Sequence, residues 1–473
     1  MYKIFLIPLF LFLSGDLLSK SDVPSPRLGD TLNQTITLDQ EEKIGRNIYR
    51  NLQKHNYIIN NFLVYDYITY LGNTLSRNIL LERDYLFFIT KSTDVNAFAV
   101  PGGFMGINGG LLVLTQNEAQ LAGVISHELG HVVLRHSAEM MANSNVNSIP
   151  MWIGIFAGLL AGQTEASIAS IKAGIGLSVQ NNINLVRENE IESDNFAVTL
   201  MLKSNYDLNE MAKFFKLMQG DGNNQTQVNE YFLTHPLYKN RISTIKKRAK
   251  YQSNAIINSS DDYHFIKNII VNMLSMPIDN NSLTKNEAIN NHRAALDYVS
   301  KGNYKKAKKV LQPSYDKNNY NIYIASLMSQ ILWLQNEKKH SKNVLKKILT
   351  IYPNNNAINN QLYFLDIKDS MNLKASVSGL GRLMKNNIYN PDLYKLLAEG
   401  YSKLDDDYKS KRALIDYYNL KGNIPMAFKV IDDGLKTKKL DDSEKDTLKN
   451  LKNSILCDTN PPLEPIFGDK TCN

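Results

Sequence analysis

What the chain lacks narrows its chemistry first. Its 473 residues include two cysteines, Cys457 and Cys472, so a zinc ribbon or an iron–sulfur site, each built on several thiolates, is excluded. No internal apolar run reaches the ~18 residues of a membrane span, which argues against a polytopic membrane protein. A glycine-rich phosphate loop and a Ser/His/Asp pattern are also missing. Any metal site must therefore come from the eight histidines and the carboxylates. What is present suffices for a folded body: 43% hydrophobic and 21% charged residues argue against wholesale disorder. The length suggests two or three domains at roughly 150 residues each.

The net charge of +8 is unevenly spread. Residues 285–452 hold 30 Lys and Arg against 18 Asp and Glu, and the remainder holds 24 against 28. A basic excess confined to one half reads as a lysine-rich solvated or protein-docking face, and no nucleic-acid partner is expected.

Lys3 precedes an apolar run from Ile4 to Leu13, followed by Ser14, Gly15 and Asp16. The charge and the short run fit a secretory signal over residues 1–20; an uncleaved anchor or a buried first helix is the alternative. Export would place Cys457 and Cys472 in an oxidising compartment. The pair would then close one disulfide in the proline-containing tail, residues 456–473.

Helical spacing marks Ile44, Ile48 and Leu52, then Tyr67, Ile68, Leu71 and Leu75. An extended stretch, Tyr85 to Thr90, leads into Asn96–Asn108, where Pro101-Gly102-Gly103 predicts a hairpin turn. Thr115 and Glu118 have capping-box spacing at the start of a helix expected to run to Met141. Residues 149–179 are apolar and rich in small residues, either a buried helical hairpin or a peripheral membrane contact. A further helix is expected over 182–202, a polar loop over 220–227, and a linker with one helical insert over 253–285. Residues 286–455 then read as amphipathic helices with short joints. Lys301-Gly-Asn-Tyr-Lys-Lys-Ala-Lys-Lys-Val310 is echoed by Lys421-Gly-Asn-Ile-Pro-Met-Ala-Phe-Lys-Val430. The pattern resembles about four tetratricopeptide repeats, with glycine letting two helices approach and a spacing looser than the usual ~34 residues; an irregular helical bundle is the alternative.

Ser126-His127-Glu128-Leu129-Gly130-His131 carries the chemistry. Residues four apart share a helix face, so His127 and His131 can offer imidazoles to one ion with Glu128 beside them. A catalytic zinc wants a third protein ligand and an open position. No histidine follows His131 at metzincin spacing, so a carboxylate from a second helix must complete the set. Arg187-Glu-Asn-Glu-Ile-Glu-Ser-Asp194 is the best source: Glu190 and Asp194 share one face, while Glu188 and Glu192 point elsewhere. His136 would lie off the ligand face. His55, His264, His292 and His340 read as surface or packing residues.

With these motifs, residues 40–250 resemble the Ste24/HtpX-type zinc metallopeptidases. The resemblance rests on the histidine helix, on Arg187-x-x-Glu190-x-x-x-Asp194 and on Asn96-Ala-Phe-Ala-Val-Pro-Gly-Gly103. Ser193 stands where that family usually carries alanine. The resemblance implies an α+β, mostly helical, gluzincin-type peptidase domain (residues 21–252) with a small edge-strand sheet, followed by an all-α tetratricopeptide-like solenoid. It implies one Zn2+ per chain, Glu190 as third ligand, Glu128 as general base and Asp194 orienting a ligand histidine. The hairpin would offer an edge strand at Phe104, Met105, Gly106 and Ile107 to an extended peptide.

Thr234-His235-Pro236-Leu-Tyr-Lys-Asn-Arg241-Ile242 matches an exported subgroup of the same family in Gram-negative periplasm. That subgroup implies His235 as a regulatory fourth ligand, with a transition-state hydrogen-bond donor as the alternative. It also implies unfolded or misassembled outer-membrane proteins as substrates, and the outer-membrane assembly machinery as partner through the repeats. A chaperone or assembly adaptor acting mainly through the repeats is the rival function.

Overall fold

The computed structural model describes residues 36–79, 83–143, 183–219, 235–236, 240–252, 257–277, 284–385 and 387–459. The segment read as a signal, the apolar stretch 149–179, the loop 220–227 and Cys472 lie outside the described residues. Cys457, in the last helix, is a disulfide cysteine.

Helix α1 (Leu38–Lys54) starts at a capping box in which Thr37 and Gln40 bond each other's backbone, satisfying two donors that a helix start leaves free. It buries Ile44, Ile48, Tyr49 and Leu52 along one stripe. Helix α2 (Phe62–Ser76) does the same with Val64, Tyr67, Ile68, Leu71 and Leu75. Both pack on a three-stranded sheet of β1 (Leu86–Thr90), β2 (Ala97–Val100) and β3 (Phe104–Asn108), in the order β1-β3-β2. Strand β3 runs parallel to β1 and antiparallel to β2. The hairpin expected over Asn96–Asn108 is therefore β2–β3, but its second strand is not an edge. Phe104, Met105, Gly106 and Ile107 pair on both sides and are buried, leaving no free donors or acceptors for a peptide. Edge strand β2 packs instead beside the histidine helix.

A short helix α3 (Gly109–Leu114) follows the sheet, then α4 (Glu118–Val133), which carries His127, Glu128 and His131. The cap differs from expectation. Asn117, not Thr115, caps α4 by accepting from Gln120 N, because Thr115 closes α3 and its hydroxyl is engaged by Leu112 O and Tyr263 Oη. Glu118 turns into the core, where Tyr67, Tyr206 and Ser260 donate to its carboxylate. Nor does α4 reach Met141: it ends at Leu134, Arg135 adopts φ 60°, and a separate α5 (His136–Asn143) begins. Helix α6 (Ile183–Lys203) crosses α4 at Gly130, where a side-chain carbon would sit 2.8 Å from Ser193 Cα. Helices α7 (Leu208–Gln219) and α8 (Arg241–Ala249) support α4 and α6 from below.

Helix α9 (Asp261–Met273) is no loose insert. Tyr263, Phe265, Ile266 and Ile270 are buried in the same core as α4. Phe265 stacks on Tyr323 at 4.9 Å, and Asn268 donates to Ile289 O at 2.9 Å. The two halves thus share one apolar interior. The repeats follow as α10 (Glu287–Ser300), α11 (Tyr304–Lys317), α12 (Ile322–Leu334), α13 (Lys338–Ile351), α14 (Asn356–Lys368), α15 (Leu373–Met384), α16 (Pro391–Lys403), α17 (Asp407–Leu420), α18 (Ile424–Lys436) and α19 (Asp442–Thr459).

Within each of the first four pairs the turn holds a left-handed residue, Gly302, Asn336, Ser370 and Asp405, and the third turn holds a second, Asn372. Gly302, Asn336, Ser370 and Asp405 are 34, 34 and 35 residues apart, so the period is the usual ~34 residues and not the looser spacing expected. Gly422, also left-handed, recurs only 17 residues later, making α17 serve two pairs. The Lys-Gly-Asn echo marks this turn. A side chain at Gly302 would meet nothing within 4 Å, and the residue is glycine for its φ of 70°, not for a close helix approach. The solenoid curls back on the N-terminal half: Ala357 N donates to Asp66 Oδ2, and Tyr49 Oη donates to Tyr389 O.

Candidate metal centre

Four side chains from three segments converge. His127 and His131 come from α4, Glu190 from α6, and His235 precedes α8. The Nε2 of His127 lies 3.1 Å from His131 Nε2, 3.3 Å from His235 Nδ1 and 3.4 Å from Glu190 Oε2. Glu190 Oε1 is 3.2 Å from His131 Nε2 and 3.1 Å from His235 Nδ1. Ligands at zinc distances of ~2.0–2.1 Å in a tetrahedron would be about 3.3 Å apart. Glu128 flanks the group, with Oε1 3.3 Å from His235 Nε2.

Gly130 explains how the carboxylate reaches the histidines. With no side chain there, α6 lies directly on α4, and Glu190 and Asp194, one turn apart, both face it. Asp194 Oδ1 is 3.0 Å from His127 Nδ1, on the far side of the ring from the cluster. Arg241 Nε and Nη2 donate to the two oxygens of Asp194 at 2.7 and 2.8 Å, and Nη1 lies 2.9 Å from Glu190 Oε2. The same nitrogen donates to Pro236 O, and the guanidinium sits 4.5 Å from the centroid of the Phe215 ring.

Electrostatics fit a divalent cation. Burial lowers the His127 pKa, but Glu190 and Asp194 outweigh it and lift the imidazole to about 9. At His131 burial wins over Glu190, and the value falls to about 4. Burial would raise Glu190, yet His235 and His127 hold it well below the usual carboxylate range. Arg241 and His127 likewise hold Asp194 down against burial. Glu190 and Asp194 share one guanidinium, that of Arg241, and Glu128 lies against His235. Acceptor nitrogens and carboxylate oxygens pointing at one buried spot are the donor set of a bound metal.

The residues singled out from sequence, His127, Glu128, His131, Glu190, Asp194 and His235, are thus brought together, while Glu188 and Glu192 are exposed. One residue was passed over. Arg241 stood in the His-Pro segment with no role assigned, and its fixed spacing from His235 was the available signal. His136, read as lying off the ligand face, is buried with Nδ1 2.9 Å from His131 Nδ1.

Residues 71–249 match the peptidase family M48. The chain therefore carries an M48 metallopeptidase domain, and the family together with the His/Glu cluster supports a metal cofactor. Over more of its length the chain is similar to proteins named for β-barrel assembly. It is 31% identical over 304 residues to the putative beta-barrel assembly-enhancing protease of Vibrio cholerae, covering 63% of this chain and 60% of that one. It is 25% identical over 425 residues to the beta-barrel assembly-enhancing protease of Escherichia coli K12, covering 86% of each. Metalloprotease YcaL of the same organism is 27% identical over 179 residues, 38% of this chain and 65% of that one.

Proposed function

We propose that the protein is a periplasmic, zinc-dependent endopeptidase. It would degrade misfolded outer-membrane β-barrel proteins, assist their assembly, and reach the assembly machinery through its repeats. The convergence of His127, His131 and Glu190 at tetrahedral spacing beside Glu128 carries the reading. The names of its relatives support the substrate class. Among the described residues no helix is long and apolar enough to cross a membrane.

Zinc held by these residues would lower the pKa of a bound water toward ~7 and polarise the scissile carbonyl. Glu128 would take the proton of the attacking water and pass it to the leaving amine. Asp194 Oδ1, 3.0 Å from His127 Nδ1, would fix that ring, with Arg241 donating to Asp194 from the other side. Strand β2, paired on one side by β3 and lying beside α4, is the edge to which an extended substrate would add. His235 Nδ1 occupies the position facing the other three ligand atoms and would keep the enzyme latent until it is displaced.

Bound zinc and casein cleavage, measured in wild type and Glu128→Gln, test the reading. Zinc in both and cleavage lower by about 10²–10⁴-fold in the variant is expected. Equal cleavage would overturn it. His235→Ala should raise basal cleavage; a fall to the Glu128→Gln level would make that histidine catalytic instead.

A further inference from the structure

His131 turns Nε2 toward Glu190 and His127, and its other nitrogen meets His136. We propose that His136 is the positioning residue of His131, as Asp194 is of His127. The inference rests on His131 being a metal ligand, as proposed above.

Proton accounting fixes the roles. A neutral imidazole that presents Nε2 to a metal carries its proton on Nδ1, and the partner of that proton sets the tautomer and the ring angle. The Nδ1 of His136, 2.9 Å away, is that partner. It must accept, so the proton of His136 sits on Nε2, which points at Glu192 Oε2, 3.4 Å away. Ser193 Oγ lies 3.3 Å from the same His136 Nδ1, a longer contact that shares the one lone pair with His131, and its residue also lies against Gly130. Glu192 is largely exposed and its contact is long; burial of the His136 ring carries most of the positioning.

The backbone is arranged for this contact. In an unbroken helix, residue 136 would lie about 140° around the axis from His131. Instead Arg135 takes φ 60° and α5 starts afresh, returning residue 136 to the His131 ring. The turn is pinned by its own side chain: Arg135 Nε donates to Glu41 Oε1 at 2.8 Å and Nη2 to Ile36 O at 2.7 Å. The serine at position 193 is then a partner for His136, more than a small residue that fits.

The test is zinc affinity, measured by chelator competition, with the urea midpoint of the metal-free protein as a fold control. His136→Leu should bind Zn2+ about 10- to 100-fold more weakly. His136→Asn, whose amide stands where Nδ1 stood, should recover most of that loss, and Ser193→Ala should weaken binding a few-fold. A purely structural histidine would change the midpoint and leave affinity and the asparagine rescue unmoved. Wild-type zinc affinity in His136→Leu overturns the proposal while leaving the metal site intact. A wild type that binds no zinc overturns the reading beneath it. Should His136→Leu not fold, His136→Gln carries the test: its longer amide leaves His131 Nδ1 without its acceptor, so undiminished affinity there overturns the proposal.

Discussion

Arg241 faces Glu190 and Asp194 together, with both of its partners and itself buried. Removing one member of such a group strands the others, at a cost of about 3–5 kcal/mol. Arg241→Met is therefore expected to lower the urea stability of the metal-free protein by that order; a loss below ~1 kcal/mol would show that the carboxylates find other partners. His292 makes a different prediction. It is buried against Phe265, its Nδ1 lacks a hydrogen-bond partner, and burial lowers its pKa to about 3. The unfolded chain takes up this proton near pH 6.5, so the stabilising contribution is complete above that pH. It is lost toward pH 3, at up to about 1.4 kcal/mol per pH unit. His292→Phe should flatten this part of the stability profile between pH 6.5 and 4, and an unchanged slope would contradict the assignment. Residues four apart on one helix could be read directly from sequence. Arg241 and His136 could not, because one depends on a long chain reversal and the other on the backbone conformation of Arg135.

At the level of elements, the approach of α6 to α4 decides whether Glu190 reaches the histidines. Gly130→Ala would push a methyl into Ser193, and overpacking of this kind costs about 1–3 kcal/mol. Weaker zinc binding should accompany the lost stability, since the third ligand moves with α6; stability loss with unchanged zinc affinity would separate the crossing from the site. Sequence patterns located α1, α2, α4 and α6, with α6 at Ile183–Lys203 against the 182–202 expected, but misplaced both ends of α4. Thr115 had capping-box spacing, yet the hydroxyl of Tyr263, far along the chain, claimed it. Likewise the hairpin was legible from Pro101-Gly102-Gly103, whereas the position of β3 between β1 and β2 depended on a pairing that no local pattern records.

Across the whole molecule, α9 joins the halves. Its composition suggested an insert in a linker, but Phe265 stacks on Tyr323 and the apolar interior runs on from α4 into α12. Tyr49 Oη donates to Tyr389 O, and Ala357 N donates to Asp66, closing the solenoid onto α1 and α2. The apolar cluster that runs from α2 into α14 should unfold as one unit, while α15–α19 hold clusters of their own. Urea denaturation followed by far-ultraviolet circular dichroism and by tyrosine and tryptophan fluorescence is expected to give coincident transitions across that cluster; two separated midpoints within it would mean that the halves are independent.

We propose that three histidines and Glu190 enclose one zinc in the resting protein. Zinc X-ray absorption reads that arrangement directly. Four nitrogen or oxygen neighbours at ~2.0–2.1 Å are expected, with scattering from three imidazole rings in the wild type and two in His235→Ala. A shell of six oxygens, or one that keeps all its imidazole scattering in both His127→Ala and His235→Ala, would contradict it.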